Sequence, residues 1–184
     1  MQYNCNGNMV IENILEVCTV DSKIRKLVMG GLMAAITCVC TLAVRIPVPG
    51  THGYVNFGDG VLMMAGLLFG PQVGFAAGAI GSALADISGG YAVYAPATFL
   101  VKGSEALIVA LIAHKGFKEK PLSLRTFAGL AAGGVLLVGG YFVADWLMFG
   151  LPAAVAGVAA NCGQGIAGAV IALSAGTPLR RAVH

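Results

Sequence analysis

The sequence predicts an all-α polytopic membrane protein, a bundle of six transmembrane helices with both termini cytoplasmic. Three observations predict it. Of 184 residues, 58% are hydrophobic and 10% charged, against about 45–50% and about 25% in an ordinary soluble domain. Apolar runs fill most of the chain with no Pro/Ser-rich linker between them, so there is one membrane domain, 23–178, between a tail at 1–22 and a tail at 179–184. The lysines and arginines gather on one side of a six-span layout. A disordered chain is excluded, because such chains are poor in apolar residues.

The first twenty residues lack the basic start and small-residue cleavage site of a signal peptide. Ile11, Ile14, Leu15 and Cys18 recur at helical spacing, so the segment reads as a short surface-lying amphipathic helix or as a cytoplasmic tail. The first span, 27–46, stops at Pro47 and Pro49. A loop, 47–56, leads to the second, 58–69, which ends at the turn pair Gly70-Pro71. With 12 residues against the roughly 20 that a bilayer needs, the second span must be buried in protein, tilted or extended by its flanks. The third, 72–87, and fourth, 97–113, flank a polar-aromatic loop, 88–96. A charged connection, 114–125, precedes the fifth and sixth, 126–149 and 153–175.

Nine of the eleven basic residues, Lys23, Arg25, Lys26, Lys115, Lys118, Lys120, Arg125, Arg180 and Arg181, fall on one side of this layout. The positive-inside rule makes that side cytoplasmic and puts loops 47–56, 88–96 and 148–153 outside. There is no dense basic block for nucleic acid. Five cysteines without paired spacing give neither a disulfide framework nor a metal site, and Cys38, Cys40 and Cys162 read as buried small hydrophobes. Gly70, Gly74 and Gly78 lie four apart, the spacing that lets helix backbones approach closely in lipid.

Charges at membrane depth are costly, by about 2.5–3.5 kcal/mol on insertion scales, and so mark function. Asp59, Asp86, Lys102 and Asp145 all fall in the outer half of the layout, with Asn56, Tyr91, Tyr94, Tyr141, Trp146, Asn161 and Gln164. Glu105 lies in the fourth span with Lys102. A plain structural reading has Lys102 neutralised by Asp86 or Glu105 and the aromatics forming an interfacial belt. The functional reading is a polar and aromatic pocket open to the outside. Asn161 and Gln164, three apart on one helix face, supply donors and acceptors for a heterocycle. Nucleophile elbow, HExxH and Walker lysine motifs are missing, so ATP-driven transport would need an ATPase from another chain.

The stretches Tyr54-Val-Asn-Phe-Gly-Asp59, Gly81-Ser-Ala-Leu-Ala-Asp86, Tyr94-Ala-Pro-Ala-Thr-Phe-Leu-Val-Lys-Gly103 and Asn161-Cys-Gly-Gln164 resemble the substrate-binding S components of energy-coupling factor (ECF) vitamin transporters. The likeness covers about 24–178 and is closest to the branch associated with riboflavin, hydroxymethylpyrimidine and pyridoxine uptake. It implies a membrane-embedded vitamin binder that is not itself an enzyme and needs no cofactor or metal. Such a binder docks on a transmembrane coupling subunit carrying two cytoplasmic ATPases. The pocket would be lined by Asn56, Asp59, Asp86, Tyr94, Lys102, Tyr141, Asn161 and Gln164, with Lys102 contacting ligand or holding a carboxylate. The family's small-residue docking face on the first helix corresponds here to Gly30, Gly31, Ala34 and Ala35. Two other classes compete: a stand-alone proton-coupled carrier or channel relaying protons through the buried acids, though no inverted repeat is visible, and an intramembrane enzyme using Asp59 and Asp86, which lacks a nucleophile or metal motif.

Overall fold

The structure, a computed structural model, describes residues 22–183. All but Ser22 of the segment read as tail or amphipathic helix lies outside the described residues. Helix α1 (Ser22–Ala43) ends before the proline pair, where the chain turns extended because proline offers no N–H to continue a helix. The apolar run through Ile46 therefore leaves the helix early. The expected loop after it is a small antiparallel hairpin, β1 (Arg45–Pro47) and β2 (Tyr54–Asn56), with Arg45 opposite Asn56 and Pro47 opposite Tyr54. Its tip closes through Val48 N–H to Gly53 O and turns at Gly50, whose φ is +82°. The strands are three residues each, too short for the alternating pattern by which strands are read from sequence.

Helix α2 (Gly58–Phe69) is the bundle's axis. Its 12 residues span about 18 Å, and Leu62, Met63 and Leu67 are 0% exposed. Of the three ways a short apolar run can sit in a membrane, burial in protein is the one adopted: α1, α3, α5 and α7 surround it. Gly70, at φ +89°, ends α2 and turns the chain straight into Pro71 at the start of the next helix. That rod is α3 (Pro71–Ala76), a π-helical turn (Ala77–Gly81) and α4 (Ser82–Gly89). Long rods α5 (Ala95–Glu119), α6 (Leu124–Phe149) and α7 (Leu151–Val183) complete the bundle. Ser123 caps α6 by accepting from Thr126 N–H, and Arg180 of α7 donates to the carbonyls of Lys118 (2.6 Å) and Glu119 (3.0 Å) at the end of α5.

Polarity is arranged inside out. Leu124, Leu147, Leu27 and Val135 are 74–87% exposed, whereas Asp59, Glu105 and Lys102 are at most 1% exposed. An apolar exterior over a charged interior is what a bilayer selects. Helices α1, α5, α6 and α7 are each long and apolar enough to cross one. The chain is a multi-pass membrane protein. Cys162 differs from its sequence reading: it faces outward from α7, and Cys38 and Cys40 are half-buried.

The glycine ridge packs as its spacing suggests. A Cβ at Gly74 would lie 2.8 Å from Gly66 Cα, and one at Gly78 would overlap the Lys102 carbonyl; α3 and the π turn therefore touch α2 and α5 backbone to backbone. A Cβ at Gly31 meets nothing within 4 Å. Gly74→Val is expected to lower stability by about 1–3 kcal/mol through overpacking, with Gly31→Ala unchanged, as read by thermal unfolding in detergent.

Candidate ligand site

At the α1 C-terminal end of the bundle the hairpin, α4, α5, α6 and α7 enclose a polar cavity of about 40 Å³. Its groups form two layers. In the lower layer the Lys102 ammonium donates to Asp59 Oδ1 and lies 3.9 Å from Glu105 Oε2, one turn along α5. Asp59 sits in the first turn of α2, where the helix dipole favours a carboxylate. Its second oxygen accepts from Gln164 Nε2 at 2.6 Å. Gln164 Oε1 in turn accepts from Asn56 N–H at 2.7 Å. Asn56 Oδ1 takes Gly58 N–H at 2.8 Å and the Thr41 hydroxyl at 3.3 Å. The hairpin is thus tied through one glutamine to the buried ion pair. Lys102 Nζ also lies 5.5 Å from the centre of the Tyr141 ring, within cation–π range.

The upper layer is aromatic and acidic. Tyr54 donates to Asp86 Oδ1 at 2.6 Å, and Tyr94 to Asp145 Oδ1 at 2.7 Å. Thr98 and Tyr141 share a hydroxyl contact of 3.0 Å. His52 and Tyr94 both stack on Phe149, with ring centres 4.5 and 5.5 Å apart, so the hairpin tip rests on the α6 terminus. Burial, reinforced by the neighbouring carboxylates, pushes the phenols of Tyr54 and Tyr94 above the usual tyrosine range. They remain donors at working pH. Two groups facing the cavity keep unused capacity: Asp86 Oδ2 is buried without a hydrogen-bond partner, and the Asn161 side chain borders the cavity. Among the described residues no trio of His, Cys, Asp or Glu gathers to hold a metal.

Comparison with known proteins places this geometry. Over residues 21–181 the sequence matches the family described as the ECF-type riboflavin transporter, S component. The chain belongs to this family. It is 29% identical over 153 residues, 83% of this chain and 86% of the other, to the thiamine precursor transporter HmpT of Lactococcus lactis subsp. cremoris. An uncharacterised Pyrococcus woesei protein is 38% identical over 145 residues, 79% of this chain and 95% of its own. The fold matches the S component of a bacterial ECF transporter with TM-score 0.69, covering 87% of this chain and 98% of that one at 20% identity. As an S component the chain is the substrate-binding subunit of an ECF vitamin transporter.

In this S component Asn56, Asp86, Tyr94, Lys102, Tyr141, Asn161 and Gln164 all border the cavity. Asp59 lies beneath its floor as the counter-ion of Lys102, a role the sequence reading offered to Asp86 or Glu105. Asp86 is held by Tyr54 instead. Thr41, Tyr54, Thr98 and Asp145 also line the cavity, though none was among the nominated ligand contacts. Asp145 was within reach, since it follows Tyr141 by one helical turn and shares its face, and Tyr54 and Thr98 lie inside the family-like stretches; Thr41 of α1 had no comparable signal. The small-residue row on α1 divides. Gly30 and Ala34 are buried, a Cβ at Gly30 meeting Ala76 Cβ at 3.4 Å, while Gly31 and Ala35 face outward. Trp146 also points outward, 54% exposed.

The lower layer sets one ammonium against two fully buried carboxylates, and both Glu105 oxygens lack hydrogen bonds. Lys102→Met should therefore cost about 3–5 kcal/mol by leaving buried carboxylates uncompensated. Lys102→Met combined with Asp59→Leu and Glu105→Gln should recover most of the loss. Thermal unfolding of both variants checks it; equal loss in the two would refute the ion-pair account.

Proposed function

We propose that this S component captures a small, neutral or cationic single-ring heterocycle of the hydroxymethylpyrimidine type, a thiamine precursor, from the outer side of the membrane. The observation that carries this reading is the charge balance of the cavity. Lys102 is already engaged by Asp59 below the floor, and the upper wall presents Asp86 and Asp145, each with one oxygen held by a tyrosine. Such a wall accepts hydrogen bonds. An exocyclic amine and a hydroxymethyl group suit it, with ring nitrogens accepting from the Asn161 amide; an anionic or phosphorylated vitamin does not. The Lactococcus relative named as a thiamine precursor transporter supports the same class.

Orientation follows from the basic residues. Lys23, Arg25 and Lys26 at the start of α1, Lys118 at the end of α5, Arg125 at the start of α6 and Arg180 at the end of α7 share the end opposite the cavity, so that end is cytoplasmic. Uptake then requires a transmembrane coupling subunit and two cytoplasmic ATPases, with the outward Gly31 and Ala35 of α1 as the docking row in place of the whole set Gly30, Gly31, Ala34 and Ala35. The chain binds and presents the solute, and ATP hydrolysis lies in the partner chains.

The test is thermal stability of the purified protein against hydroxymethylpyrimidine, thiamin, pyridoxine, riboflavin, pantothenate and biotin. Hydroxymethylpyrimidine at a hundredfold excess over its dissociation constant should stabilise by roughly 2.7 kcal/mol, with the anionic vitamins silent. A selective riboflavin response would overturn the pyrimidine reading while leaving the S-component function. Asp86→Asn should weaken binding about 10–100-fold, the worth of one hydrogen bond to a charged acceptor, with unfolding of the ligand-free protein little changed.

A further inference from the structure

A second cleft lies at the end of the bundle opposite the cavity. It encloses about 270 Å³ and is bordered by Ser22, Arg25, Lys26 and Met29 of α1, Leu68 and Phe69 of α2, Val73 of α3 and Lys118 of α5. From Lys26 to Thr41, which borders the ligand cavity, α1 rises about 22 Å, so the two spaces are separate. The cleft has two unlike parts. Its rim carries Arg25, Lys26 and Lys118, all exposed, and no ion pair among the described residues involves any of the three. Its inner wall, Met29, Leu68, Phe69 and Val73, is wholly apolar and belongs to the bundle core or packs on it.

We propose that this cleft binds one anionic phospholipid, its phosphate held by Arg25, Lys26 and Lys118 and its glycerol and upper chain lying against Met29, Phe69 and Val73. Three like charges converging on one cleft repel one another, and an anion relieves that repulsion. Arginine and lysine together suit a phosphodiester, the guanidinium by its paired N–H groups and the ammonium as a point charge. Basic pockets between transmembrane helices at the cytoplasmic surface are where anionic headgroups are held. The apolar wall decides between sources of phosphate. A free phosphate gains nothing from Met29 and Phe69, whereas a lipid places its ester region and chain there, in line with the exposed apolar Leu27 and Val28 of α1. The lipid would join α1 to α2, α3 and α5 at one end of the bundle.

The experiment is native mass spectrometry of the full chain from micelles containing phosphatidylglycerol or phosphatidylcholine, on three proteins. These are the natural chain, Arg25→Gln/Lys26→Gln/Lys118→Gln, and a control with the same loss of charge outside the cleft, Lys115→Gln/Lys120→Gln/Arg181→Gln. One retained phosphatidylglycerol is expected on the natural chain and the control, its apparent affinity falling about a hundredfold in the cleft variant, with no retained phosphatidylcholine. Thermal unfolding in phosphatidylcholine micelles confirms that the variants are folded, and Lys118→Gln alone, expected to lose about fivefold, replaces the triple variant if that fails to fold. Equal loss in cleft and control variants would mean diffuse surface attraction and overturn the proposal. So would full retention in the cleft variant, or displacement of the lipid by excess inorganic phosphate, which would mark a free-anion site.

Discussion

The buried contact between Lys102 and Asp59 is the constraint on which the ligand end of the molecule depends. An ammonium and a carboxylate at the centre of a membrane bundle are each costly alone, and together they are tolerated only if their remaining hydrogen-bonding capacity is met. Asp59 meets it through Gln164, and Gln164 through the backbone of Asn56. The ion pair therefore does more than neutralise a charge. It sets where α7 stands against α2, and it fixes the second hairpin strand above α2, which starts two residues later. A glutamine that looked on sequence grounds like a ligand contact has both ends of its amide engaged within the protein, and its work is to hold the hairpin in place.

With Lys102 satisfied from below, the cavity above it takes its character from Asp86, Asp145 and the tyrosines that hold them. Each tyrosine engages one carboxylate oxygen and orients the other. The result is a wall that accepts hydrogen bonds, roofed by a hairpin whose tip meets the α6 terminus through His52 on Phe149 and packs Gly50 beside Ala156 of α7.

Close backbone packing makes this arrangement possible. Gly66, Gly74 and Gly78 bring α2, α3 and α5 near enough that α2 is enclosed by protein along its length, and enclosure lets a helix of 12 residues live inside a bilayer without facing lipid. The π turn at Ala77–Gly81 falls where the rod passes between α1 and α5. There Gly78 lies on the Lys102 carbonyl and Gly81 near the Ala34 carbonyl. The helix that carries Lys102 is thus positioned by contacts that leave no room for a side chain.

What the sequence determined by itself is the class of the molecule. Hydropathy, run length and the placement of lysine and arginine are local or additive properties, and they suffice for a helical membrane bundle with its polar groups gathered towards one end. They also suffice for most of the cavity's charged and amide residues, because such a residue inside an apolar run is conspicuous wherever the run folds. Pairing was decided only by the tertiary structure. Nothing local distinguishes Asp59 from Asp86 or Glu105 as the partner of Lys102; the choice depends on which helix start comes to rest beside α5. The same holds for Tyr54, whose three-residue strand is too short to show a period, and for the α1 row, where Gly30 and Gly31 are adjacent in sequence yet one is buried and the other faces outward. Pattern along a chain reveals which residues need partners, and only packing between helices supplies them.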